Sequence, residues 1–259
     1  MKTTLSLIAS ALVVLPFSAS AQFSGPKVAD AKPGEVRVIV TAAIREPLDA
    51  VLKQAEVAIG KPIVAEYGSA RGNLKDEILK GQDFEVAILL PDVDEDIRTA
   101  GKVGPQAFEI ARVPVAFGLR GDAPGLDVST PAAVKAALLN AKSVKYAPTG
   151  AALMTVKKIF STLDIADKVH DSSKIREQVP LAAGEYEINI YPLSEIIPNK
   201  KLQNLGPVIA PLQVPAVIEA TIGKNANDPK AAMALIKFLQ GPAIDKALKD
   251  DGMEKGKSS

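Results

Sequence analysis

Apolar residues fall along this chain in two rhythms, short β-branched runs and longer one-face repeats, and their alternation predicts an α/β fold. Val36 to Val40 (VRVIV) reads as a strand by its β-branched density. Pro47 to Ile59 follows as a helix, because Leu48, Val51, Leu52, Ala55 and Ile59 share one face. Ile63 to Tyr67 is a second strand, and Asn73 to Lys80 a helix stopped by Gly81. Glu85 to Leu90 (EVAILL) is a continuous apolar run, the pattern of a strand covered on both faces. This strand-helix-strand-helix-strand order predicts right-handed crossovers and mainly parallel strands.

A second set begins at Pro114 to Leu119 and passes through a Gly/Pro/Asp turn region, Gly121 to Asp127. Thr130-Pro131 then opens a helix carrying Val134, Ala137 and Leu138, with Thr130 as cap and Pro131 at the first helical position, where a missing N–H costs nothing. Ser143 to Ala147 reads as a strand, Gly150 to Leu163 as a helix and Glu187 to Tyr191 as a strand. Asp228-Pro229 opens a last helix bearing Met233, Ile236 and Leu239, closed by Gly241-Pro242.

The chain's start adds an address. Lys2, the apolar run Leu5 to Phe17 and the small residues Ala19-Ser20-Ala21 read as a removable secretory signal, cleaved after Ala21. The run is shorter than the roughly 20 residues of a spanning helix and carries Pro16. Without cysteine there is no lipid attachment, disulfide or thiolate metal site. The expectation is a periplasmic monomer that does not insert into the membrane. A formal net charge of +1 gives no long-range pull toward nucleic acid or anionic lipid.

Several chemistries drop out. One histidine, His170, and no cysteine cannot build a His/Cys metal cluster; a carboxylate-only calcium or magnesium site stays open, but no EF-hand spacing appears, and the expectation is neither metal nor cofactor. No glycine loop of the Gly-Lys-Ser/Thr kind is present, and Gly68-Ser69-Ala70-Arg71-Gly72 misses the nucleophile-elbow spacing by one position. What remains are strand-to-helix turns, where open α/β sheets hold ligands and helix N-termini present free N–H groups to anions. Three qualify: Thr41-Ala42-Ala43-Ile44-Arg45, Gly68 to Gly72, and Pro148-Thr149-Gly150. Arg45 and Arg71 stand in two of them.

At these turns the sequence resembles the molybdate-binding-protein-like substrate-binding proteins of ABC importers. The resemblance runs through Thr41-Ala42-Ala43, Tyr67-Gly68-Ser69 with Leu74 and Ile78, Phe84 to Ile88, Ala111-Arg112-Val113, Pro148-Thr149-Gly150, Gly184-Glu185 and Asn227 to Ala232. It implies a type II periplasmic-binding-protein-like fold: two α/β lobes, a hinge, and a ligand cleft between the lobes. The lobes would be residues 22–111 plus 209–259, and 112–208. A small anion would be the ligand and an importer's membrane subunit a partner.

Relatives that hold molybdate use a Ser at the first turn, where this chain has Ile44, and a Ser at the second, matched by Ser69. Their backbone N–H donors match Thr149 and Ile175. Their Tyr falls on Pro192, with Tyr191 one residue early and on the opposite face. Missing donors argue against a bare oxyanion, since a buried unpaired charge costs several kcal/mol, roughly. The planar forks of Arg45 and Arg71 suit carboxylates instead. The expected ligand set is Ala43, Ile44, Arg45, Ser69, Ala70, Arg71, Thr149, Gly150, Ile175 and Tyr191, with Ile44 against the carbon skeleton of an organic polycarboxylate. Aconitate isomerase also resembles this family. An isomerase on the same fold would need a base, for which Glu66, Tyr67, His170, Tyr191 and Glu195 are candidates.

Overall fold

The structure, a computed structural model, describes residues 32–175 and 177–257; the expected export signal lies outside them. In chain order its strands are β1 (Val36–Thr41), β2 (Ile63–Gly68), β3 (Val86–Leu89), β4 (Val103–Val113), β5 (Val115–Gly121), β6 (Ser143–Tyr146), β7 (Tyr186–Pro192), β8 (Gln203–Pro207), β9 (Ala216–Gly223) and β10 (Glu254–Lys255). The helices are α1 (Arg45–Ile59), α2 (Lys75–Leu79), α3 (Pro91–Thr99), α4 (Pro131–Asn140), α5 (Leu153–Leu163), α6 (Leu193–Ile196), α7 (Pro229–Gln240) and α8 (Asp245–Asp250).

The strands form two sheets, ordered β10-β4-β9-β3-β1-β2 and β6-β7-β5-β8. They are mixed rather than mainly parallel. β1 runs parallel to β2 and β3, and β6 to β7. β9 is antiparallel to β3 and β4, and β5 to β7 and β8. The reason is the chain path. It leaves the first sheet at Pro114 and returns after β8, so the returning β9 is threaded in reverse between β3 and β4.

Each sheet has its own core. The first gathers Val38, Ile39 and Val40 of β1 with Leu48, Val51 and Ala55 of α1 and Leu235, Ile236 and Leu239 of α7. The second packs Val134 and Leu138 of α4 and Val156 and Ile159 of α5 on Val115, Phe117, Ile188 and Ile190. Both read caps are formed: Thr130 Oγ1 accepts from Ala133 N at 3.1 Å and Asp228 Oδ1 from Ala231 N at 2.9 Å. Helix α5 begins at Leu153 instead of Gly150, because turns occupy Thr149 to Ala152. Gln213 laces the return crossover to the outgoing one, its amide accepting from Val115 N at 3.0 Å and donating to Val115 O at 2.8 Å. Among the described residues no helix is long and apolar enough to cross a membrane.

Candidate functional site

The second sheet has one apolar and one polar face, and the polar face makes the site. Side chains alternate along a strand. In β7, Ile188 and Ile190 enter the core, so Glu187, Asn189 and Tyr191 point the other way. Lys145 of β6 and Arg120 of β5 join them. Helix α6 lies over this face at Gly118, where an added Cβ would stand 2.8 Å from Ile196 Cδ1 and 2.9 Å from Leu202 Cδ1. Glycine here leaves room for the ends of these two side chains. The first sheet supplies the facing wall through Ala42, Arg45 and Glu46, directly after β1. Between the walls is a cleft of about 560 Å³, within the ordinary range for organic ligands.

Charge in the cleft is unevenly matched. Arg120 Nε binds Glu187 Oε1 at 3.0 Å and its Nη2 reaches Val179 O at 2.7 Å. Ser143 Oγ donates to Glu187 Oε2 at 2.6 Å and Asn189 Nδ2 to Oε1 at 3.2 Å. Burial opposes ionisation of Glu187, but Arg120, Ser143 and Asn189 together hold its carboxyl below the usual range. Lys145 binds only carbonyls, Ile175 O at 3.2 Å and Glu177 O at 3.4 Å. Among the described residues neither it nor the cleft-lining Lys200 and Lys201 has a salt-bridge partner. Glu195, on the first turn of α6, is pushed up to about 7 by burial. Burial, with the Glu195 and Glu187 carboxylates nearby, pushes the Tyr191 phenol well above its ordinary value.

The structure divides the expected ligand residues into three groups. Arg45 and Tyr191 line the cleft, and the Arg45 guanidinium sits 4.1 Å from the centroid of the Tyr67 ring. Ser69, Arg71, Thr149 and Gly150 come together as a knot between the sheets. Ser69 Oγ donates to Thr149 O at 2.9 Å and lies 2.7 Å from Thr149 Oγ1. Arg71 grips Asp92 through Nε at 2.5 Å and Nη2 at 2.9 Å, and its Nη1 donates to Gly150 O at 2.7 Å. Its fork is therefore engaged by protein, not presented to the cleft.

The third group turns away. Ile44 is 1% exposed, packs in the first core and is not among the residues that line the cleft. Ala43 and Ala70 are equally buried, and Ala43 O accepts from Ser194 Oγ at 2.7 Å. The Ile175 N–H is spent on Ser172 O at 3.0 Å.

Of the candidate bases, Glu195 and Tyr191 reach the cleft. Tyr67 is buried against Asp49, Glu66 accepts from Gln82 at 3.1 Å, and His170 is exposed, all three outside the lining. Sequence reading missed Arg120, Lys145, Glu187 and Asn189. The available signal was the alternation Glu187-Ile188-Asn189-Ile190-Tyr191, three polar residues on one face of an otherwise apolar strand. Among the described residues no cluster of three His, Cys, Asp or Glu could hold a metal.

Comparison with known proteins places this architecture. The family "Bacterial extracellular solute-binding protein" matches residues 36–254. An aconitate isomerase from a Pseudomonas species is 20% identical over 220 residues, 83% of this chain and 84% of that one. The molybdate-binding protein ModA of Azotobacter vinelandii is 27% identical over 231 residues, 86% of this chain and 90% of that one. The solved structure of the periplasmic molybdate-binding protein of that organism superposes with a TM-score of 0.63 at 18% identity, covering 85% of this chain and 98% of that one. The sulfate-binding protein SubI from Mycobacterium tuberculosis superposes with a TM-score of 0.65 at 14% identity, covering 85% and 86%. The two-sheet α/β fold is thus that of type II periplasmic binding proteins, and the chain belongs to the bacterial extracellular solute-binding proteins as a molybdate-binding-protein-like member.

Proposed function

We propose that this protein is a periplasmic receptor that captures an organic polycarboxylate and delivers it to an ABC importer. The observation that carries this reading is the composition of the cleft. Lys145, Lys200 and Lys201, which have no salt-bridge partner among the described residues, line a space of about 560 Å³ together with Arg45 and the Glu187-bound Arg120. Four oxygens around one centre would fill little of that space and could not reach cations spread over its whole rim. A carbon skeleton bearing two or three carboxylates can meet several of them at once. The two sheets act in this reading as lobes, residues 22–111 plus 209–259 and 112–208, that close on the ligand about the Gln213-laced crossovers.

Thermal shift of residues 22–259 with molybdate, tungstate, sulfate, citrate and both aconitates tests the reading. At a hundredfold excess over its dissociation constant a ligand stabilises by about 2.7 kcal/mol. Stabilisation by citrate or an aconitate, with none by the inorganic anions, is the expected result. Stabilisation by molybdate or tungstate alone would replace it with an oxyanion receptor.

A second reading, an isomerase moving the double bond of a tricarboxylate, is favoured by one feature. Glu195 lines the cleft with a carboxyl near 7, suited to removing and returning a proton beside a carboxylate. The similarity to an aconitate isomerase points the same way. Incubation with trans-aconitate decides: formation of the cis isomer establishes turnover, and binding without it leaves a receptor.

A further inference from the structure

Two carboxylates on the cleft are treated in opposite ways. Glu187 is saturated by Arg120, Ser143 and Asn189 before any ligand arrives. Glu195 has no hydrogen bond or ion pair among the described residues. It is nevertheless held in place. Leu193 is buried against Gly252, whose added Cβ would meet Leu193 Cδ2 at 2.4 Å; Ser194 binds Ala43 O; and Ile196 lies over Gly118. Residues on both sides are anchored, so the Glu195 side chain is aimed into the cleft without a partner of its own.

The elements packed around α6 bring the following charged groups. Arg45 and Glu46 stand at the start of α1, Arg120 on β5, and Glu187 and Tyr191 on β7; Lys145 faces from β6 and Lys200 and Lys201 from the segment after the helix. Strand β8 brings no charged side chain. The end of α8, with Lys249, Asp250 and Asp251, touches α6 through Gly252 on the Leu193 and Ile197 side. Glu195, two residues on from Leu193, faces away from it.

A polycarboxylate entering here neutralises Arg45 and the lysines and adds like charge beside Glu195. Both effects disfavour a second anion at that point. We propose that Glu195 binds the ligand as a neutral acid, its O–H donating to one ligand carboxylate, so that each ligand is captured together with one proton from solvent. This inference rests on the polycarboxylate reading of the cleft. The balance is simple: the Glu195 carboxylate gains a proton, no bond of the ligand breaks, and release of the ligand returns the proton. Burial already carries the free carboxyl to about 7, and the ligand's like charge beside it raises it further, above the pH at which the uptake is measured. Glu195 then selects acids that can accept that hydrogen bond, and ties affinity to pH.

Titration calorimetry of residues 22–259 with citrate, cis-aconitate and trans-aconitate at pH 8, in two buffers of different ionisation enthalpy, measures the proton directly. The expected result is uptake of close to one proton per ligand, with affinity falling about tenfold per pH unit between pH 7.5 and 8.5. Glu195→Gln keeps a donor of the same shape. It is expected to bind these acids at pH 8.5 at least as tightly as the wild type, with that uptake gone and the pH dependence flat. Binding by the wild type without proton uptake overturns the inference and leaves the polycarboxylate reading standing, and the wild-type measurement needs no variant to fold. Uptake that survives in Glu195→Gln overturns it equally. Failure of all three acids to bind overturns both readings.

Discussion

Replacing Arg71 with Ala probes whether the knot between the sheets sets ligand affinity from outside the cleft. The residue sits in an irregular turn, Ala70–Leu74, where Gly72 adopts φ −109°, ψ −120° and an added Cβ would stand 3.1 Å from Thr149 Oγ1. The substitution removes two bonds to Asp92 and one to Gly150 O. It leaves the backbone bond from Arg71 N to Thr149 O, 3.2 Å, and both Ser69 contacts. The three losses are not equal. Asp92 is 53% exposed, so that pair contributes about 0–1 kcal/mol. The bond to Gly150 O is charge-assisted, spans the two sheets and comes from a side chain only 16% exposed, and is worth about 1.5 kcal/mol.

The sum, about 2 kcal/mol, is lost only from conformations in which the sheets meet. If ligand binding requires that arrangement, apparent affinity falls roughly ten- to thirtyfold although Arg71 does not line the cleft. Asp92→Asn keeps the Gly150 bond and should cost less than threefold, roughly. Calorimetry with the acid identified by thermal shift, together with the radius of gyration of the ligand-free proteins from X-ray scattering, reads both effects. Arg71→Ala is expected to be the more expanded and the weaker binder. Unchanged affinity and unchanged dimensions would refute the brace. An Asp92→Asn protein as impaired as Arg71→Ala would show that the exposed ion pair, not the bond between sheets, carries the effect.

Three further outcomes follow from the packing. Ile44→Ser, which places the hydroxyl of the molybdate-binding pattern at the first turn, should lose about 3 kcal/mol of stability by denaturant unfolding and gain no molybdate affinity, because the Ile44 side chain lies in the core. Glu187→Gln leaves Arg120 without its carboxylate and should cost about 3 kcal/mol at pH 7. Since the folded-state value of Glu187 is depressed, its stabilisation is full above the unfolded value of 4.5 and lost as pH falls through the folded one; melting curves of variant and wild type should converge toward pH 3. Gly118→Ala should displace α6, lowering stability by about 1–3 kcal/mol and weakening ligand binding, whereas equal affinity would mean that α6 does not shape the site.

How much of this was legible depends on where each residue's partners lie in the chain. Val36–Thr41, Ile63–Gly68 and Val86–Leu89 were readable because they are buried on both faces and rich in apolar, largely β-branched residues, interrupted only by Arg37 and Glu66 before their closing Thr41 and Gly68. Helix α1 was readable from its own one-face repeat. Helix α3 was not: PDVDEDIRT buries only Val93, Asp94 and Ile97, and its acids mask the repeat. The long antiparallel pair of β4 and β9 was missed for another reason. Val113 pairs with Ala216 across more than a hundred residues of chain, and no hairpin turn announces it. The mainly parallel expectation failed on the same crossover.

The site follows the same logic, and its failures are informative about the ligand. A turn residue's rank in a motif does not say whether its side chain enters the core or the cleft, and here Ala42, not Ile44, reaches the cleft. Several donors at the turns are already spent within the protein: the Ser69 hydroxyl on Thr149, the Ile175 N–H on Ser172, and Arg71 on Asp92 and Gly150. Each would have to break an existing bond before it could serve an anion, so its net gain would be small. Lys145, Lys200 and Lys201, which have no carboxylate partner among the described residues, lie instead on the second sheet's polar face and the segment beyond α6. In the proposed reading, long side chains spread over a strand surface take the place of backbone N–H groups at helix ends. Such a surface is poorly suited to enclosing four oxygens on one centre, and well suited to spacing the carboxylates of a larger acid, with Glu195 placed where one of them would have to share a proton.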